Sequence, residues 1–302
     1  MYHVPVLLNE CIDGLNIRPE GTYVDVTFGS GGHSGKIMEK LTTGRLFAFD
    51  RDMDAGQNQI NDERFQLIRQ NYRFVKNFLR FQGVSKIDGL LADLGISSWQ
   101  IDQAGRGFSI RLDGKLDMRM DQDQELTAAD IINSYSVTQL EQLFWTYGEI
   151  GNARNLVREI VSARTARPLE TTEELKHIAL RVAPRGKENQ YLAKVFQAIR
   201  IEVNEEIESL KDMLQSASDL LKPGGRLVVI AYHSLEDRLV KNFIKTGNFE
   251  GIPVKDFFGR QISPLSVVNR KATIPSEAEQ LANPRSRSAK LRIAEKNSDV
   301  RK

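Results

Sequence analysis

The chain has 302 residues, of which 40% are hydrophobic and 27% charged, with a net charge of +2; that is more than one typical domain, with enough apolar material for a real core. The near-balanced charge excludes diffuse electrostatic attraction as a basis for nucleic-acid binding, so such a partner must be met by local basic clusters. A single cysteine, Cys11, excludes an internal disulfide framework and reads as a small buried hydrophobe. No apolar stretch approaches bilayer-spanning length, and no signal-like segment opens the sequence, so the expectation is a soluble, cytoplasmic protein.

In chain order, Tyr23 to Phe28 reads as a strand followed by a glycine-rich turn, and Gly35 to Leu41 as a helix. Further strands run from Arg45 to Phe49, ending at Asp50, from Phe65 to Ile68, and from Ile87 to Ala92, ending at Asp93. Such alternation predicts a parallel sheet with helices on both faces. From about Gly105 to Arg119 the chain is rich in Gly, Arg and Asp and reads as a loop. Helical patterns alone follow: Ser136 with Gln139 and Thr171 with Glu174 form capping boxes, and a long apolar pattern runs from Leu192 to Leu210. After the Lys222-Pro223-Gly224-Gly225 turn, Arg226 to Ala231 is again a strand, and Asn283 to Arg292 reads as a basic tail. The predicted organisation is a sheet domain over 1–104, a helical insertion over 105–205 and the rest of the sheet domain over 206–302.

Ligands of open α/β sheets bind beyond the carboxyl ends of the strands, and four features fall there. The glycines of Asp25-Val26-Thr27-Phe28-Gly29-Ser30-Gly31-Gly32-His33 let the backbone approach a ligand, or serve only a tight turn. Asp50, 18 residues past Gly32, suits the two hydroxyls of a ribose, or is a solvated acid beside Arg51 and Asp52. At the end of the fourth strand Asp93 faces both cofactor and substrate, or caps a turn. Tyr72, past the third strand, stacks on an adenine or packs in the core. A nicotinamide site would want Gly or Ala at Ser34, and Asp25 is unusual there; Asp25 suits an amino-acid ammonium group, which favours a cofactor with a methionine end. No motif has the ligand spacing of a metal site.

Together these segments resemble the RsmH (MraW) family of small-subunit rRNA methyltransferases over nearly the whole chain. The blocks that carry the resemblance are His3 to Leu8, Asp25 to Ser34, Asp50-Arg51-Asp52, Ala92 to Ser98 with Gln100, Arg106 to Ser109, Asp113-Gly114, Leu116 to Asp121, Phe196 to Arg200, His233 to Arg238 and Asn283 to Ala289. Tyr72 stands where Phe is usual, Trp99 where Pro is common, Lys194-Val195 where Arg-Thr is usual, and Ala231-Tyr232 where Ser-Phe is usual. The resemblance implies a Rossmann-like class I methyltransferase sheet interrupted by an all-helical substrate-recognition domain. It implies S-adenosyl-L-methionine as cofactor, contacted by Gly31, Gly32, His33, Asp50, Asp93 and Gln100. It also implies methylation of the exocyclic amine of one cytidine in the decoding region of 16S rRNA, within the small ribosomal subunit.

An exocyclic cytosine amine is a poor nucleophile, so an acceptor for its N–H is expected, and Asp93 is the first candidate. His233 is a second, either hydrogen-bonding base or phosphate or serving as a cap. Arg285, Arg287, Lys290 and Arg292 of the tail, and Arg106, Arg111 and Arg119 of the loop, are candidates for phosphate contacts, against the reading of a solvated charged surface. Rival readings are a methyltransferase of another nucleic-acid amine, a nicotinamide oxidoreductase and a non-catalytic ribosome-assembly factor. The Pro-Pro-aromatic motif of many amine methyltransferases is replaced after Asp93 by Leu94-Gly95.

Overall fold

A computed structural model describes residues 5–298; of the blocks above, His3 and Val4 lie outside the described residues. The helices and strands run α1 (Leu8–Leu15), β1 (Thr22–Asp25), α2 (Gly32–Lys40), β2 (Arg45–Asp50), β3 (Phe65–Arg69), α3 (Val75–Phe81) and β4 (Ile87–Asp93). Then come α4 (Ser98–Asp102), α5 (Ala128–Ser134), α6 (Val137–Gly148), α7 (Ala153–Ala166), α8 (Thr172–Leu180), α9 (Glu188–Val203) and α10 (Glu206–Leu220). The chain ends with β5 (Leu221–Ala231), α11 (Ser234–Thr246), a short hairpin of β6 (Val254–Lys255) and β7 (Gln261–Ile262), β8 (Leu265–Val267), α12 (Glu277–Ala282) and β9 (Lys290–Lys296). Two compact units form, one from Met1–Gly95 with Ile207–Lys302, the other from Ile96–Glu206.

The first unit is a seven-stranded sheet of order β3-β2-β1-β4-β5-β9-β8. Strands β1 to β5 pair in parallel, and β9 runs antiparallel between β5 and β8. This is the Rossmann-like sheet of class I methyltransferases. Both faces are covered, which is why its central strands read as continuous apolar runs. Phe47, Phe49, Leu90 and Val229 pack with α3, α10 and α11 on one face. Leu46, Ala48, Leu91, Val228 and Ile230 pack with α1 and α2 on the other, so the side chains alternate as a strand requires. Each such fully buried Phe, Leu or Val is worth roughly 1.5–3 kcal/mol relative to exposure.

Several boundaries differ from the sequence reading. Strand β1 stops at Asp25 rather than Phe28, because the Thr27 N–H turns back to the Asp25 carboxylate. Helix α2 opens at Gly32 rather than Gly35, since Gly31 caps it with φ 78. The Lys222–Gly225 turn is a register shift inside β5. The basic tail is no tail: Pro284–Ser288 is a 3-10 turn with Ser286 buried, and β9 is an internal strand of the sheet.

The second unit is helical, with α6 packed on α7 and α9, and α8 on α7 and α9. Both predicted capping boxes are present, and Ser97 with Gln100 and Thr127 with Asp130 add two more. The segment expected as a loop has no helix or strand after the 3-10 turn at Ala104–Arg106, but its apolar side chains are core: Phe108, Leu116, Met118 and Met120 are buried with the helices. Its backbone polar groups are met from within the unit. Buried Asn204 accepts from Met120 N at 2.8 Å and donates to the carbonyls of Met118 (2.7 Å) and Arg200 (2.9 Å). The same residue explains why the apolar pattern from Leu192 to Leu210 is two helices: the chain leaves α9 at Asn204, and Glu205 turns it with φ 47. Among the described residues no helix is long and apolar enough to cross a membrane.

Removing the Asn204 amide strands the Met118 carbonyl and takes away the acceptor of the Met120 N–H, while the Arg200 carbonyl keeps the Asn204 backbone N–H (3.0 Å). Asn204→Ala is expected to cost about 2–4 kcal/mol, by the penalty for unsatisfied buried groups. Urea unfolding followed by circular dichroism checks this; an unchanged midpoint would show that the loop is not held through Asn204.

Candidate active site

The order of strands reverses between β1 and β4, and the crevice beyond their carboxyl ends is where such sheets bind ligands. Carboxylates stand at the ends of β1, β2 and β4: Asp25, Asp50 and Asp93. They differ in what already engages them.

Asp25 is 1% exposed. Its Oδ1 accepts from Thr27 N (3.1 Å) and Thr27 Oγ1 (3.4 Å), and its Oδ2 accepts from Ser34 Oγ (2.7 Å). Burial pushes its carboxyl up, against His33 and the hydrogen bonds from Ser34 and Thr27. Asp25 is therefore not presented to an ammonium group, as the sequence suggested; it braces the glycine loop. Ser34, the departure from a nicotinamide fingerprint, is its partner. The loop is compact: a Cβ on Gly32 would sit 2.2 Å from Pro5 Cγ, so the chain before α1 packs directly on the first turn of α2.

Asp50 points back under that loop. Its Oδ2 accepts from Gly29 N (2.8 Å) and its Oδ1 from Asp52 N (2.9 Å). A carboxylate oxygen has two lone-pair sites, so each keeps one beyond these bonds. Burial pushes the Asp50 carboxyl up to about 6, against the two backbone N–H groups that favour its charged form. It is a half-buried carboxylate with acceptor capacity to spare, which fits a pair of hydroxyl donors.

Asp93 is fixed at its backbone by an N–H to Thr27 Oγ1 (2.6 Å). Its Oδ1 accepts from Tyr232 Oη (2.8 Å), and its Oδ2 lies 3.9 Å from His33 Nδ1. The other ring nitrogen, His33 Nε2, is 3.2 Å from the Val6 carbonyl. A carbonyl only accepts, so Nε2 carries the hydrogen and Nδ1 turns toward Asp93. Burial raises the Asp93 carboxyl to about 6; His33 and the Tyr232 hydroxyl oppose the rise, and Asp25 and Glu236 add to it. The side chain retains 23% exposure, so it is desolvated yet reachable.

The structure thus brings Gly31, Gly32, His33, Asp50 and Asp93 to one end of the sheet. Tyr72 lies in a 3-10 turn after β3, half-buried against the core face that includes Phe78. Gln100 belongs to the helical unit, where its Oε1 accepts from Ser97 N (3.0 Å) in a capping box. His233 is the N-cap of α11, with Nδ1 accepting from Glu236 N (3.4 Å) and Nε2 3.1 Å from Glu236 Oε1.

The basic candidates divide sharply. Arg106 is not a surface cation. It is 8% exposed, its Nη2 donates to the carbonyls of Arg119 and Met120 (both 3.0 Å), and its guanidinium lies near the Trp99 and Phe108 rings. Arg119 is held by Asp117. Lys290 and Arg292 both pair with Asp237, at 3.5 and 2.7 Å. Arg285 and Arg287 flank buried Ser286 and are exposed, as is Arg111. Sequence reasoning passed over Tyr232 as a mere departure; a tyrosine directly before His233, one residue past a strand end, was the available signal.

The model of the MraW methylase family matches residues 1–297. The chain is 55% identical to the ribosomal RNA small subunit methyltransferase H of Bacteroides fragilis (strain YCH46), over 98% of this chain and 97% of that protein. It is 55% identical to the protein of that name from Bacteroides thetaiotaomicron, with the same coverage. With the one from Amoebophilus asiaticus it shares 54% identity over 98% of this chain and 96% of the relative. By its full-length match and by these relatives, the chain belongs to the MraW methylase family.

Proposed function

We propose that this chain transfers a methyl group from S-adenosyl-L-methionine to the exocyclic N(4) amine of a cytidine in the decoding region of 16S rRNA, acting on the small ribosomal subunit in the cytoplasm. The observation that carries the reading is the full-length family match together with spare-capacity carboxylates at the ends of β2 and β4.

Asp50 would hold the cofactor's ribose hydroxyls on its remaining lone pairs. Gly32 and His33, at the first turn of α2, would offer backbone N–H groups to a negatively charged end of the cofactor, while Gly31, whose own N–H goes to the Phe28 carbonyl (2.8 Å), lets the backbone approach it without a Cβ in the way. Tyr72 would lie along its adenine. When bound, the cofactor supplies a methyl already activated on a sulfonium, open to direct displacement by an amine nitrogen.

What remains for the chain is positional and electrostatic. The cytosine amine donates its lone pair into the ring, so it attacks well only when an acceptor engages its N–H. Asp93 Oδ2 serves as that acceptor: Oδ1 is occupied by Tyr232, and the backbone is tied to Thr27. A carboxyl pushed up to about 6 is also better matched to receive a proton near neutral pH than an ordinary aspartate. A base in folded RNA reaches such a pocket only after unstacking. We assign recognition of the RNA to the helical unit and to Arg285 and Arg287, whose exposed side chains suit phosphate contacts.

The test is transfer of label from S-adenosylmethionine to small subunits isolated from cells lacking this protein, with nucleoside analysis. Label in N(4)-methylcytidine is expected; label in another nucleoside, or none with the cofactor bound, overturns the assignment. In the same assay Asp93→Asn should lower the maximal rate by roughly 100-fold with little change in cofactor affinity. Asp50→Ala should instead weaken cofactor binding by roughly 10–100-fold, the worth of hydrogen bonds to a charged group. An Asp93→Asn enzyme that loses cofactor affinity but keeps its rate is incompatible with the acceptor role. Charge reversal at Arg285 and Arg287 should weaken RNA binding several-fold and flatten its salt dependence; an unaltered salt slope removes these residues from the RNA interface.

A further inference from the structure

Tyr232 reaches Asp93 across the gap between β5 and β4, and every part of it is held. Its backbone N–H donates to Glu236 Oε2 (3.0 Å), the buried carboxylate of the α11 capping box. The ring is partly buried beside the core face that includes Val228, Ile230 and Leu291. The hydroxyl then meets Asp93 Oδ1 at 2.8 Å. Toward an ionised carboxylate a phenol has one role, that of donor. The bond therefore both selects one carboxyl orientation and favours the charged form.

The other groups facing Asp93 come from four elements. Asp25 at the end of β1 and Glu236 on α11 are acidic and disfavour its charge. Cys11 on α1 is buried, with its thiol pushed up by burial first and then by Asp93. His33 on α2 faces the second oxygen at 3.9 Å. Among the described residues, Tyr232 is thus the one neutral donor hydrogen-bonded to the carboxyl group. Burial pushes its own ionisation far upward, with Asp93 adding to the effect, so it remains a donor throughout the working pH range.

We infer that Tyr232 is a positioning residue for methyl transfer, holding Asp93 in one orientation as an ionised acceptor with Oδ2 left for the substrate amine. The inference rests on the reading of Asp93 as that acceptor. Phe is usual at this position in the family pattern, so the ring alone is compatible with the fold, and the hydroxyl is an addition whose effect can be isolated.

Tyr232→Phe removes one oxygen and keeps the ring. The measurement is a pH titration of the Asp93 carboxyl 13C resonance, assigned with D93N, in the wild type and in Y232F. It is run beside the pH profile of kcat/KM for RNA at saturating cofactor. In Y232F the Asp93 titration is expected to move up by roughly one pH unit, as for loss of one hydrogen bond to a carboxylate, and the acid limb of kcat/KM to move with it. Coincident Asp93 titrations in the two proteins overturn the inference. A shifted titration with an unshifted acid limb upholds the Tyr232–Asp93 coupling and refutes the acceptor reading of Asp93, so the two failures are separable.

Discussion

The site depends on one buried carboxylate, Asp25, whose hydrogen bonds run to Thr27 and Ser34. Asp25 binds Thr27 through one oxygen and Ser34 through the other, and Thr27 Oγ1 in turn receives the backbone N–H of Asp93. The end of β1, the first turn of α2 and the end of β4 are thereby joined by hydrogen bonds inside the protein. Burying an acid is unfavourable unless its acceptors are filled, and here they are filled by the loop it shapes. The loop then returns a backbone N–H, that of Gly29, to Asp50. A rigid arrangement of this kind suits a reaction whose main demand is alignment of nitrogen, carbon and sulfur.

Burial acts on all three acids, but with different results. Asp25 is almost fully buried and engages both oxygens, with Thr27 and with Ser34 of α2, whereas Asp50 and Asp93 are partly exposed, retain acceptor capacity toward the crevice and are each raised to about 6. Their desolvation is a cost in the free protein that hydrogen-bond donors from a ligand relieve. The same logic runs the other way in the helical unit. There the backbone groups of a polar, arginine-rich segment are satisfied by Asn204, Arg106 and Arg119, and its Leu and Met side chains fill the core.

Much of this was legible in the sequence because it is local. Strands β1 to β4, with acids at the ends of three of them, follow from apolar runs of fixed length. The Ser136 and Thr171 caps follow from a hydroxyl and an amide or acid three residues on. What was not legible depends on partners distant along the chain. Strand β9 alternates Leu291, Ile293 and Glu295 with charged and small residues, and gains its place only by pairing with β5. Arg292 looks like an RNA-binding cation until Asp237, 55 residues away, is set beside it. Arg106 looks the same until the 105–121 segment folds over it. Helices α9 and α10 share one apolar periodicity, and the break between them is dictated by where the Asn204 amide must reach.

The central claim is that Asp50 is underengaged in the free protein and becomes fully engaged, as an anion, when the cofactor binds. Calorimetric titration of S-adenosylmethionine into the enzyme at pH 6, in buffers of different ionisation enthalpy, tests it most directly. Asp50, at about 6, is close to half protonated there. Hydroxyl donors favour the charged form and lower its pKa, so binding should release about half a proton per site. The release should vanish by pH 8 and be absent in Asp50→Asn. Proton uptake, or no exchange at pH 6, would contradict the account.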